Sequence, residues 1–189
     1  MKLKFLFITL LAAMISHAAF ADDATAFELV KRGNQYVGVQ SKDKVVQIRS
    51  EKSIASLTPN IWYVVYYDPD ATFKATEVKF GAGKKMDVSH PWRILEMADD
   101  AHKVLDKDKL KVDSDKAIKI ATSQPLLANL KVKATKLKLE HGDNGPQWRV
   151  QLWAAKLKNP NDDADIGVVI ISTDDGSVIK TDLHPNSVD

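Results

Sequence analysis

The stretch from Gln147 to Pro185 constrains the fold most. It holds a run QWRVQLWAAKL, a polar loop NPNDDAD, a run IGVVIIST, the turn Asp174-Asp175-Gly176 and a final run SVIKTDLHP. Asp-Gly between two β-branched runs specifies a hairpin, because both central residues of a tight type I′ turn take positive φ. The stretch therefore reads as a three-stranded antiparallel meander. The same order recurs upstream, where IWYVVYYD, a Pro-Asp loop, FKATEVKF, the turn Gly81-Ala82-Gly83 and KKMDVSHPW follow one another. Trp62 then corresponds to Trp148, Gly83 to Gly176 and His90-Pro91 to His184-Pro185, at offsets of 86, 93 and 94. The offsets grow because the second copy has the longer loop, which describes a diverged tandem pair rather than a short solenoid period.

Each copy is preceded by a helix and a strand. Residues 25 to 32 predict a short helix with Phe27 and Val30 on its apolar side, stopped by Gly33-Asn34 in a left-handed cap. Residues 45 to 51 predict a strand in which Val46 and Ile48 alternate against Gln47 and Arg49. In IWYVVYYD, Trp62, Val64 and Tyr66 share one face while Tyr63, Val65 and Tyr67 share the other, so both faces are apolar and the strand is expected to be central. A helix is expected from Trp92 to about Leu105, with Ile94, Ala98, Ala101 and Leu105 on its buried stripe. The charged segment 106 to 117 marks a boundary. Asp113 or Ser114 caps the next helix, which buries Ala117, Ile118, Ile120 and Ala121 and ends near Pro125, and a strand follows from about Lys131 to Glu140. The expected fold class is α+β, as two tandem helix-plus-antiparallel-sheet repeats over residues 22–106 and 107–189.

Residues 1–21 have the form of a secretory signal peptide. Lys2 and Lys4 precede an apolar run from Leu3 to Ile15, and Ala19-Phe20-Ala21 supplies small residues for cleavage before Asp22. The apolar run is shorter than the ~20 residues that cross a bilayer, so no membrane span is expected in the mature chain, which is placed in the periplasm or outside the cell. The chain carries 27 basic and 25 acidic side chains. Two of the basic ones and none of the acidic ones lie in the leader, so the mature product is balanced and nucleic acid is not an expected partner. The chain has no cysteine, which removes thiol catalysis, zinc-thiolate sites and dithiol redox roles.

One family resemblance rests on particular residues. The run Leu110-x-Val112-Asp113-Ser114-Asp115-x-Ala117-x-x-Ile120-Ala121, then Gln147-Trp148-x-Val150-x-Leu152, then Asp174-Asp175-Gly176-x-Val178 resembles a PepSY or PepSY-like domain. The likeness covers about Lys107 to Pro185; in the first half only Trp62-x-Val64, the glycine turn and His-Pro correspond. It implies a helix packed on an antiparallel sheet in an exported bacterial protein, and a role in binding or inhibiting peptidases. No peptidase domain accompanies the repeats in this chain, so an in-chain propeptide role is not expected.

Motifs for chemistry are weak. Gly81-Ala82-Gly83-Lys84-Lys85 lacks the first glycine, the Ser/Thr and the following helix of a phosphate loop, and reads as a hairpin. Ser177-x-x-Lys180 has the spacing of acyl-transfer enzymes but lies in a strand. Asn161, Asp163 and Asp165 alternate as in a calcium loop, yet Gly167 falls one place late and Ser172 stands where a bidentate Glu belongs. His90, His102, His141 and His184 form no zinc-ligand pair. The chain is therefore expected not to be an enzyme, with no catalytic, cofactor-binding or metal residues and no cofactor. The candidate interface is the sheet face opposite the helices, carrying Tyr63, Val65, Tyr67 and Trp153. Either that face is buried by the two sheets packing or merging, or it binds a partner, expected to be a protein such as a peptidase or an envelope polypeptide. A small-ligand carrier with a pocket between helix and sheet is the alternative.

Overall fold

The computed structural model describes residues 24–91 and 104–189. The elements are α1 (Ala26–Gly33), β1 (Val45–Ser50), β2 (Ile61–Tyr67), β3 (Ala75–Gly81), β4 (Lys84–Ser89), α2 (Ser114–Thr122), β5 (Val132–Gly142), β6 (Gly145–Ala155), β7 (Asp163–Ser172) and β8 (Val178–Leu183). All strands join one antiparallel sheet in the order β4-β3-β2-β1-β5-β6-β7-β8. Between β3 and β4, Ala82 and Gly83 take φ of 46° and 72°, both positive as a type I′ turn requires; between β7 and β8 only Gly176 is left-handed, at 77°, and Asp175 is not, so this hairpin closes through a longer turn, with Gly176 N donating to Ser172 O, in place of the expected type I′ turn. Among the described residues no helix is long and apolar enough to cross a membrane.

This architecture corrects the expected pair of α+β repeats. The described residues form one strand-dominated sheet with two short α-helices of 8 and 9 residues, and not two helix-plus-sheet repeats. A four-stranded half ending at β1 or at β5 would leave that strand's N–H and C=O groups unpaired, and the two strands satisfy each other instead. Their ladder is short, pairing only Ile48 with Leu139 and Arg49 with Lys138. Two serines extend it: Leu137 N donates to Ser50 Oγ and Thr135 N to Ser53 Oγ, both at 2.9 Å, while Ser53 N donates to Thr135 O at 2.8 Å. One hydrophobic cluster then runs through both halves, from Leu29, Ile48 and Trp62 to Leu137, Trp148 and Val169.

Both helices lie on the face that buries the two tryptophans. Trp62 donates from Nε1 to Pro59 O and Trp148 to Val112 O, so neither indole N–H is stranded. Trp148 does not sit beneath its own helix alone, because Phe27 of α1 stacks on it with ring centroids 6.3 Å apart. The N-termini of the two helices meet. Asp113 Oδ1 accepts from Ser114 N and from Phe27 N, and Ser114 Oγ accepts from Ala26 N, so the N-cap of α2 also satisfies the first turn of α1. Thr25 and Glu28 complete α1 with a capping box.

Several local expectations change. Asn34 is right-handed at φ −55°, and Asp43 instead takes the left-handed conformation at φ 61°, held by Asn34 Nδ2 at 2.6 Å. The buried stripe of α1 is Ala26, Leu29 and Gly33, with Phe27 and Val30 packed at its margin. A bulge between Val45 and Gln47 breaks the alternation of β1, so Val45 and Ile48 enter the main core while Val46 joins a small cluster on the opposite face. The helix expected over residues 92–105 falls on residues 92–103, outside the described ones. Leu105 itself is buried and not helical, its N–H bonding Val45 O at 2.8 Å.

Candidate functional site

Alternation along the strands fixes what the second face carries. Trp62, Val64 and Tyr66 point to the helices, so Tyr63, Val65 and Tyr67 point away; Trp148, Val150 and Leu152 point to the helices, so Trp153 points away. Both α-helices pack on the first face, as do Leu127 and Val188 of the short turns Pro125–Leu127 and Pro185–Val188. No described helix covers the second.

The four expected interface residues do not form one patch. Val65 is fully buried with Val46, Ala75 and Tyr67, so it supports Tyr67 and offers a partner no surface. Tyr63 is half-buried; the Arg49 guanidinium lies 4.4 Å and Lys79 Nζ 5.3 Å from its ring centroid, and its hydroxyl donates to Glu51 at 2.9 Å. Trp153 lies roughly 20 Å away, given three inter-strand steps of ~4.8 Å and four residues of ~3.4 Å along the strand. Lys52 Nζ sits 4.7 Å over its ring and pairs with Asp163 Oδ1 at 2.6 Å. Each ring can hold a cation over its face by the ring quadrupole, which leaves the ring edges toward solvent.

Beside Ala134, the cross-strand neighbour of Trp153, lies a shallow basin of about 580 Å³ lined by Lys52, Ile54, Lys133 and Asp163. Ile54 is 79% exposed at its rim, an uncommon position for an aliphatic side chain without a contact to make. Sequence reasoning missed the basic side chains between the two aromatic sites. Arg49, Lys138 and Arg149 read as ordinary polar positions of alternating strands until β1 is known to pair with β5.

The weak motifs resolve into structural roles. Asp163 pairs with Lys52, and Asp165 accepts from Gln151 Nε2 and Gly167 N. Gly167 is required there, because at φ 106° an added Cβ would run into the Asp182 carbonyl on β8. Ser177 Oγ donates to Asp175, whose carboxyl is held down to about 2 by hydrogen bonds from the Ser177 backbone and side chain. His90 Nδ1 lies 3.1 Å from Thr76 Oγ1, and His184 Nε2 lies 3.3 Å from Asp182.

A second concavity lies on the helix side, a cleft of about 330 Å³ walled by Phe27, Val30, Val45, Leu105 and Leu110. Its rim holds the Lys107–Asp43 pair at 3.2 Å and Lys31. The hydrogen bond from Asn34 holds the Asp43 carboxyl below its usual range. Tyr66 closes against α1, donating to Val30 O at 2.9 Å, and burial pushes its hydroxyl pKa above the ordinary value.

Comparison of this chain with protein-family profiles, with curated proteins and with solved structures finds no match.

Proposed function

We propose that the chain is a non-enzymatic exported module that binds a polypeptide through the open face of its sheet. One observation carries the reading: among the described residues, helices cover one face only of the eight-stranded sheet, and the other presents Tyr63, Tyr67 and Trp153 with cations held over two of the rings. Tyr, Trp and Arg are the side chains that dominate protein interfaces, and partly ordered aromatic groups lose little freedom on binding. The leader-like residues 1–21 support export, and the resemblance to PepSY modules points to a peptidase or another envelope polypeptide as partner.

The test is site-specific cross-linking in an exporting cell. A photoreactive residue at Lys136, exposed on the open face, is expected to give a discrete protein adduct, and one at Lys116, exposed on α2, is not. Adducts of equal yield from both positions, or none from Lys136, contradict the reading.

The helix-side cleft supports a second reading, a carrier of a small apolar molecule, because apolar walls with a few charges at the mouth are the usual build of such sites. Extraction of a bound small molecule from the purified chain, with no adduct at Lys136, favours it.

A further inference from the structure

Register across seven of the eight strands places one line of residues side by side on the open face, and on the edge strand β4 the line ends in Asp87, opposite Lys79. Lys79 pairs with Tyr63, Tyr63 with Arg49, Arg49 with Lys138, Lys138 with Arg149, Arg149 with Ile170 and Ile170 with Lys180. Five of these seven side chains are cations, and they cross seven strands, a span of ~29 Å at ~4.8 Å per strand. Arg49, Lys138 and Arg149 stand directly opposite one another on adjacent strands, an arrangement of like charges that costs stability. Two carboxylates offset it: Glu77 pairs with Arg49 at 2.6 Å and Glu140 pairs with Lys138. Lys79, Arg149 and Lys180 make no ion pair among the described residues, and Arg149 and Lys180 are exposed.

The surroundings of the line decide what it fits. On one side, two residues along each strand, lie Glu77 and Glu140; on the other lie Glu51 and Asp182 with Lys136 between them, each row ~7 Å away. A polymer with negative charge on every unit, such as a nucleic acid or a sulfated glycan, would be brought against both acidic rows. Tyr63, the only aromatic side chain in the line, has cations over its ring and so offers no free face for stacking bases. A polypeptide can place carboxylates over the line and neutral or basic groups over the flanks.

We infer that the open face takes an acidic polypeptide segment laid across the strands along the line from Lys79 to Lys180. An extended segment of about nine residues covers that span, and the guanidinium of Arg149 is its central anchor, because it is exposed and its planar fork suits a carboxylate. This rests on the binding role proposed above for the face.

The experiment measures binding of the peptide (Glu-Ser)5, about ten residues long and able in its extended form to turn its carboxylates to one side, to the purified mature chain by isothermal titration, with oligothymidylate and heparin as fully charged polyanions. The peptide is expected to bind most tightly of the three and to weaken as sodium chloride rises. Arg149→Glu, which places an acid beside Lys138 and so leaves the fold intact by circular dichroism, is expected to weaken it about tenfold, as loss of a charge-assisted contact does. Lys180→Glu on the exposed edge strand gives an independent loss, whereas Lys116→Glu with Lys158→Glu changes nothing. Equal losses from the Lys116 and Lys158 changes, tighter binding of oligothymidylate or heparin, or no binding of (Glu-Ser)5 overturns the inference. If a Lys136 adduct forms in the cell while (Glu-Ser)5 fails to bind, the binding role of the face stands and only the acidic partner falls.

Discussion

Replacing Ser50 and Ser53 by alanine should weaken the junction that makes one sheet out of two halves. Both serines are 2% exposed. Ser50 Oγ is the acceptor for Leu137 N and Ser53 Oγ the acceptor for Thr135 N, at positions where β1 and β5 form no ladder pair of their own. Removing either hydroxyl leaves a buried N–H without a partner, a penalty of about 1–3 kcal/mol, with little change in packed volume. Together the changes should cost about 2–6 kcal/mol, less if the loosened seam relaxes around both sites. That is a large part of the roughly 5–15 kcal/mol that holds a domain together. Urea unfolding followed by tryptophan fluorescence and by circular dichroism should show one coincident transition for wild type and variants, with a lower midpoint and an unchanged slope. Losses below about 0.5 kcal/mol for both single variants would refute the claim that these hydroxyls complete the seam. Two separated transitions in the wild type would refute the single cooperative core.

Asp113→Ala removes the acceptor shared by the first turns of both helices and should cost about 1–3 kcal/mol, more than an ordinary cap, with Asp113→Asn recovering part of the loss in the same unfolding assay. Trp62→Ala and Trp148→Ala, each emptying a site at most 1% exposed, should each cost about 3–5 kcal/mol in the denaturant midpoint. The Tyr66 hydroxyl has a folded-state pKa raised by burial and, second, by the Asp43 charge. Its contribution is therefore complete below the unfolded value near ~10 and is lost as pH rises beyond it, with a slope approaching about 1.4 kcal/mol per pH unit. Tyr66→Phe should abolish that share of the alkaline slope while losing the bond to Val30 O, which a comparison of both proteins from pH 9 to 11.5 would reveal.

Much of the strand pattern was readable because turn chemistry and alternation are local. Asp175-Gly176 and Gly81-Ala82-Gly83 located two hairpins, though not the turn type of the first, and the parity of Trp62 against Tyr63 and of Trp148 against Trp153 told which side chains face the helices. The seam was hidden because its partners are remote: Ser50 and Leu137 stand 87 residues apart, and two serines carry no hydrophobic signal. Counting two repeats as two sheets followed from that gap. The bulge at Val45–Gln47 defeated simple alternation, and the left-handed position fell to Asp43, where Asn34 ties it from nine residues away. The line of cations on the open face depends on the same unseen pairing, because Arg49 and Lys138 become neighbours only when β1 meets β5.

The claim that the uncovered face is a binding surface is tested most directly by Trp153→Ala, read simultaneously for stability and for the cross-linked adduct at Lys136. Trp153 is half-buried and Lys52 lies over its ring, so its truncation should cost about 1 kcal/mol or less, well short of the loss at Trp148. The account predicts that the adduct disappears while the unfolding midpoint stays close to wild type. A loss of stability equal to that of Trp148→Ala, or an adduct formed in undiminished yield, would contradict it.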